Sequence, residues 1–217
     1  MKPHKPVLSL HSLDIGYNST LISDINLEIG EGEIVSILGP SGIGKTTLLR
    51  TIAGSIRSLN GDLDLNIPRR GGLGYIPQRL GLVRHMDVQH NVKLGARAGA
   101  PWNRSRFSEV KKRTMDAIST LGLKEKINEP IRRLSGGQQR RVATARTLAQ
   151  QPKLILADEF LSELDTENVG IVLDAIQSLV KDGTSLLMVE HHEKRAREIS
   201  DRILRVKDGR IIEEAIK

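Results

Sequence analysis

The sequence predicts an α/β protein from three features: a glycine-rich loop between an apolar strand and a helix, a second glycine-rich segment opening another helix, and a short apolar strand ending on two carboxylates. The first loop, GPSGIGKTT (Gly39 to Thr47), meets the spacing G-x-x-x-x-G-K-[ST] at Gly39, Gly44, Lys45 and Thr46 and follows the apolar run IVSIL (Ile34 to Leu38). Glycines let such a loop curl so that successive backbone N–H groups converge on one anion, and the helix start adds partial positive charge. Lys45 then reaches the terminal phosphates of a nucleoside triphosphate, and the Thr46 hydroxyl can ligate Mg2+. This loop alone fits ATPases, GTPases and small-molecule kinases.

The second segment, LSGGQQR (Leu134 to Arg140), runs into RVATARTLAQQP, where Val142, Ala145, Leu148 and Ala149 recur at helical spacing and Pro152 stops the helix. Ser135, Gly136 and Gly137 therefore sit at a helix N-terminus, a second anion site. LILADE (Leu154 to Glu159) follows as a buried strand, and an acid at the C-terminal end of a strand is where a parallel sheet places its ligand chemistry.

The remaining elements follow in chain order. Val7 to Ile29 alternates apolar and polar residues and reads as antiparallel strands; a helix is expected from Gly44 to about Ala53, and strands again at DLDLNI and GLGYIP. Between Arg79 and Leu134 the signal turns helical. Val110, Thr114, Ala117, Ile118 and Leu121 share one face, with Ser108 as the expected N-cap and Gly122 as the stop. A second amphipathic helix carries Val169, Val172, Leu173, Ile176 and Leu179 and ends at Asp182-Gly183; SLLMVE and RILRV are expected as buried strands.

With these motifs in place the chain resembles, over nearly its whole length, the ATP-binding cassette family, the nucleotide-binding subunits of ABC transporters. The resemblance rests on an ordered set: Tyr17 in LDIGYN, the Walker A loop, Gln78 in GYIPQ, the LSGGQ signature, Walker B with Asp158, the glutamate Glu159, a D-loop-like SELD (Ser162 to Asp165) and a switch-like VEHH (Val189 to His192). It implies one domain over residues 1–217: a RecA-like P-loop NTPase core, an N-terminal antiparallel β subdomain and an α-helical subdomain inserted at approximately 79–134.

It also implies roles. ATP would contact Gly39, Pro40, Ser41, Gly42, Ile43, Gly44, Lys45, Thr46 and Thr47, with Tyr17 stacking on adenine; an exposed strand tyrosine is the plainer reading of Tyr17. Mg2+ would be held by Thr46, Gln78 and Asp158, an all-oxygen set suited to a hard cation. Glu159 would act as general base toward the attacking water, alongside Lys45 and His191 as catalytic groups. His191 is chosen over His192 because it lies ten residues before Asp201 of SDRILRV, the family's spacing. Ser135, Gly136, Gly137, Gln138 and Asp165 would meet nucleotide held by a second copy, since one chain carries both motifs on different parts of its fold. The chain departs from the family at Phe160 and Leu161, where Pro-Thr is usual, at Glu163 in the D-loop, where added charge bears on coupling across a dimer, and at Glu190, which is expected to bear on the ionisation of His191.

Composition limits the partners. With 38% apolar residues the chain can bury a sizeable core, and no segment approaches the roughly 20 apolar residues that span a bilayer. The start MKPHKPVLSL lacks the apolar stretch of a secretory signal, and no regulatory extension is expected after Lys217. The absence of cysteine excludes disulfides and thiolate metal sites. A net charge of +7 raises nucleic acid as a partner, but the basic pairs are scattered and aromatics are only 2% of residues, so no base-stacking platform is evident and no direct nucleic-acid binding is expected. The partners implied are a homodimer mate or a related cassette subunit, and integral membrane transporter subunits whose short helix would seat near Leu80, Leu82, Val83 and Met86. The location implied is cytoplasmic, on the inner face of the cell membrane. The alternative role is an ATPase driving a non-transport membrane complex, such as lipoprotein release or regulation of a cell-wall hydrolase. The combination of GLVRHMDVQHNV, Trp102 and LAQQPKLILADE also resembles phosphonate-type import ATPases.

Overall fold

A computed structural model describes residues 5–162 and 164–214, and Glu163, with its expected effect on coupling, lies outside them. In chain order the elements are β1 (Leu8–Gly16), β2 (Thr20–Ile29), β3 (Ile34–Leu38), α1 (Lys45–Ile52), β4 (Asn60–Leu65), β5 (Leu73–Ile76), α2 (Val88–Gly99), α3 (Arg106–Thr120), α4 (Gly136–Gln150), β6 (Leu154–Asp158), α5 (Thr166–Lys181), β7 (Ser185–Val189), α6 (Glu193–Ile199), β8 (Arg202–Lys207) and β9 (Arg210–Glu214). They fall into two compact units. One takes the chain up to Ile67, Lys153–Glu159 and the stretch from Gly183 onward; the other takes Pro68–Pro152 and Phe160–Asp182. The helical segment expected over about 79–134 falls inside the second.

The first unit carries two sheets. Its antiparallel sheet has the order β2-β1-β4. Leu8 and Leu10 point inward, as do Leu13 and Ile15, so the period of two slips by one residue between them. Ser12 takes that extra place at φ +43°, a β-bulge at the register shift. The bulge amide is satisfied by Asn26, whose Oδ1 accepts from Ser12 N at 3.0 Å. The second sheet runs β6-β7-β3-β8-β9, with β6, β7, β3 and β8 parallel. Every residue of β3, β6 and β7 is buried, the mark of strands covered on both faces. Asp201 fixes the register of β3 against β8: its Oδ2 accepts from Ile34 N, and its own N–H donates to Ile34 O, both at 2.8 Å. β9, which hydrophobic pattern does not announce, returns antiparallel through Asp208-Gly209, both with positive φ. That is the two-residue turn an Asp-Gly pair favours.

The second unit is mainly helical. The expected α3 face is buried, from Val110 through Leu121, and Gly122 follows the helix at φ +61°. Its start differs from the expected Ser108: the N-cap position is Ser105, and Ser108 lies in the first turn with Oγ donating to Ser105 O at 2.7 Å. The Asn103 side chain accepts from Ser105 N and turns the chain earlier. Phe160 and Leu161 are each 1% exposed and form core of this unit, which accounts for two apolar residues after the paired acids. α2 buries Val88, Asn91, Val92, Gly95 and Ala96, with glycine where α4 comes closest. A Cβ on Gly95 would stand 1.8 Å from Arg146 O, and one on Gly99 would stand 1.7 Å from Gln150 O. Two glycines four apart thus let α2 lie against the backbone of α4.

This crossing generates a stability prediction. Gly95→Ala is expected to cost about 1–3 kcal/mol through overpacking against backbone, lowering Tm by roughly 2–12 °C for a chain of this size. Gly170→Ala in α5, whose added Cβ meets nothing within 4 Å, is expected to gain up to about 1 kcal/mol. Calorimetry of the two variants tests this, and equal melting of both would contradict a tight crossing.

Candidate active site

The first glycine loop leaves β3 at Leu38 and enters α1 at Lys45. Gly39 has φ +147°, and a Cβ there would stand 3.0 Å from Val206 O, so the residue is small because β8 backbone is close. Gly44 occupies the N-cap position of α1 at φ +112°, and no side chain caps the helix. The first-turn N–H groups are therefore left for an anion. Lys45 is only 5% exposed. Its Nζ donates to Gly39 O and Pro40 O at 2.7 Å each, drawing the loop around the ammonium. Burial pulls its pKa down, while Glu159 and Asp158 push it back up.

The paired acids divide sharply. Asp158 ends β6 at 1% exposure and accepts from Thr46 Oγ1 at 3.1 Å. Burial raises its pKa, against the Thr46 hydrogen bond. Glu159 turns out of the strand in the left-handed region, φ +51°, with its N–H on Val189 O at 3.2 Å. That turn brings its Oε1 to 2.6 Å from His191 Nε2. Glu190 is 4% exposed, and its Oε1 accepts the backbone N–H groups of His191 and His192 at 3.0 Å each. It shapes the loop carrying His191, a role sequence reading missed. A cavity of about 230 Å3 beside His191 is lined by Leu38, Gly39, Pro40, Glu190, His191, Glu193 and Arg205.

The donor set suits Mg2+. No cluster of three His, Asp or Glu ligands exists among the described residues. A buried carboxylate hydrogen-bonded to a hydroxyl is nevertheless the small protein share that Mg2+ takes when phosphates and waters complete its shell.

The other expected residues are placed separately. Tyr17 follows β1 and is 58% exposed. In the second unit Gln78 is exposed just after β5. Ser135 caps α4 through a reciprocal box, with Oγ accepting from Gln138 N at 3.2 Å and Gln138 Oε1 accepting from Ser135 N at 3.0 Å. Gly136 faces open space, so the start of this helix is approachable. Asp165 caps α5, accepting from Asn168 N at 2.8 Å, and this bond lowers its pKa. The structure thus gathers Lys45, Thr46, Asp158, Glu159 and His191 in one unit, while Gln78, Ser135 to Gln138 and Asp165 belong to the other.

The loop after Gln78 is held by two groups that pattern alone did not reveal. Arg146 of α4 donates to Leu80 O and Gly81 O at 2.8 Å each. Fully buried Asn91 accepts from Val83 N at 2.8 Å and donates to Val83 O and Asp87 O.

Comparison with known proteins gives a consistent picture. The family model described as ABC transporter matches residues 22–162. The glutamine transport ATP-binding protein GlnQ of Geobacillus stearothermophilus is 40% identical over 209 residues, 90% of this chain and 84% of that protein. The phosphonates import ATP-binding protein PhnC of Escherichia coli is 36% identical over 209 residues, 86% of this chain and 80% of that protein. Among solved structures, the dimeric post-hydrolysis state of the ATP-binding cassette MJ0796 bound to ADP and Pi superposes with a TM-score of 0.84 at 28% identity, covering 97% of this chain and 99% of that one.

A pH signature follows from Asp158. Its folded pKa is raised, so between the unfolded and folded values the native state holds the extra proton, and its contribution to stability falls as pH rises through that window. Without nucleotide, Asp158→Asn is expected to melt above the parent at neutral pH and to lose that advantage below about pH 4. Thermal melts across pH check this; a variant less stable at neutral pH would contradict it.

Proposed function

The chain belongs to the ABC transporter family, and from that premise we propose how its residues divide the work of an ATP-binding subunit that hydrolyses ATP and powers transport by dimerisation. The observation that carries the proposal is the Glu159–His191 contact of 2.6 Å in the same unit as the Thr46–Asp158 pair.

The loop from Gly39 to Thr47 wraps the phosphates through backbone N–H groups, and Lys45 exchanges its two carbonyl partners for phosphate oxygens. Thr46 and Asp158 would hold Mg2+, a role the family pattern also gives to Gln78, and the ion would supply charge neutralisation on the phosphates. Glu159 takes a proton from water as the water oxygen bonds to the γ-phosphorus. The bond to the bridging oxygen breaks, leaving ADP and inorganic phosphate. His191 orients Glu159 and donates to a γ-phosphate oxygen, and exposed Tyr17 lies against the adenine. Ser135 to Gln138 and Asp165 close over nucleotide bound by a second copy or a related cassette, head to tail.

The membrane partner docks beside Gln78. A cavity of about 390 Å3 there is lined by Arg79, Leu80, Leu82, Arg84 and Gln139, on a loop that Arg146 and Asn91 hold in shape. No helix among the described residues is long and apolar enough to cross a membrane. Through its membrane partner the subunit works at the cytoplasmic face. Relatives named for glutamine and for phosphonates stand at similar identity. Cargo choice therefore lies with the membrane partner.

Glu159→Gln is expected to bind ATP and dimerise while hydrolysis falls about 10²–10⁴-fold. Size-exclusion chromatography with MgATP and phosphate-release kinetics read the two effects. Parental turnover in this variant would sink Glu159 as the base, and a variant that stays monomeric with saturating MgATP would sink the shared nucleotide.

A further inference from the structure

The second unit has a surface that nucleotide chemistry leaves unused. Trp102, the sole tryptophan of the chain, is 78% exposed, and Phe107 is 90% exposed. Both lie where α2 gives way to α3. Two guanidinium groups stand over the indole, Arg70 at 4.6 Å and Arg106 at 4.2 Å from the ring centroid. Both also donate to Arg97 O, at 2.9 and 2.7 Å, which gathers three guanidinium groups at the C-terminal end of α2. The crowding is felt: desolvation, and then the charges of Arg70 and Arg97, lower the pKa of Arg106. Among the described residues no carboxylate is paired with any of the three. Beside them α2 and α3 border a cavity of about 320 Å3 whose lining includes Lys93, Arg97, Arg106, Phe107 and Lys111, with the buried Val110 among them.

Concentrated positive charge without acids calls for an anionic partner. Exposed indole and phenyl rings at the same place call for an apolar one. The boundary between lipid headgroups and acyl chains offers both together, and it is where tryptophan is enriched in membrane proteins. An acidic peptide matches the charge alone, and a stacked nucleobase has to displace a guanidinium from the indole.

We infer that this surface seats on anionic phospholipid, with Lys93, Arg97 and Lys111 meeting headgroup phosphates and Trp102 and Phe107 entering the interface. The attachment needs no transporter subunit and does not rest on the roles given to the ATPase residues. It adds a second contact with the membrane beside the docking loop.

The single tryptophan makes the test direct. The full-length protein is mixed with vesicles of phosphatidylglycerol and phosphatidylcholine, or of phosphatidylcholine alone, and followed by flotation and Trp emission. With the anionic vesicles, co-flotation and a shift of emission to shorter wavelength are expected. Lys93→Gln and Lys111→Gln should each weaken binding about fivefold, and Phe107→Ala should lower flotation and shrink the shift. ATP hydrolysis without vesicles should stay at the parental rate in all three, which establishes that they fold. Equal binding to neutral vesicles, flotation without an emission change, or undiminished binding in the variants would overturn the proposal. So would tighter capture of a DNA duplex or polyglutamate than of vesicles by the same residues.

Discussion

Lys45 carries a full charge into a place that is only 5% exposed and donates to two backbone carbonyls there, with the charges of Glu159 and Asp158 near enough to act on it. The rest of the site depends on this arrangement. A buried ion pair would neutralise the ammonium and leave little field for a ligand, whereas carbonyl dipoles solvate the charge without cancelling it. The loop conformation, the bare start of α1 and the acids at the end of β6 then become parts of one electrostatic design: positive where phosphate arrives, negative where a cation and a proton must be held. The buried strands β3, β6 and β7 make this affordable, because they set those groups at strand ends without relying on mobile loops.

The sequence made the candidate site residues legible and the scaffold around them less so, for a physical reason. Gly39, Lys45, Thr46, Asp158 and Glu159 sit next to short apolar strands, and their spacing is dictated by a ligand of fixed shape. Any chain that cradles phosphate in this way must repeat it. β9 leaves a weaker trace because its residues are half-exposed, although Asp208-Gly209 was a usable hairpin signal. α2 lies inside the segment expected to be helical, but its own bounds were not legible: Gly95 and Gly99 read as loop formers in a linear chain, whereas in the fold they mark where two helices meet backbone to backbone. The start of α3 moved from Ser108 to Ser105 because Asn103 turns the chain first, a competition between neighbouring side chains that periodicity does not register.

Site polar groups follow the same division. The Thr46–Asp158 bond spans residues far apart in sequence, and the family resemblance assigns both to one cation without implying the bond itself. Arg146 and Asn91 have no such motif. Each serves backbone carbonyls or amides of an irregular loop, and which carbonyls need a donor is known only once the loop has its shape.

Glu190 has one further consequence. One of its oxygens anchors the amides of His191 and His192, so the main chain is pinned on either side of the imidazole's attachment point. The ring is left with torsions about its own side-chain bonds as its principal freedom. On the role proposed for His191, sensing a phosphate then amounts to a swivel on a fixed post, a picosecond-to-nanosecond event for an exposed side chain, and a slower step of the proposed cycle would have to be set by other groups.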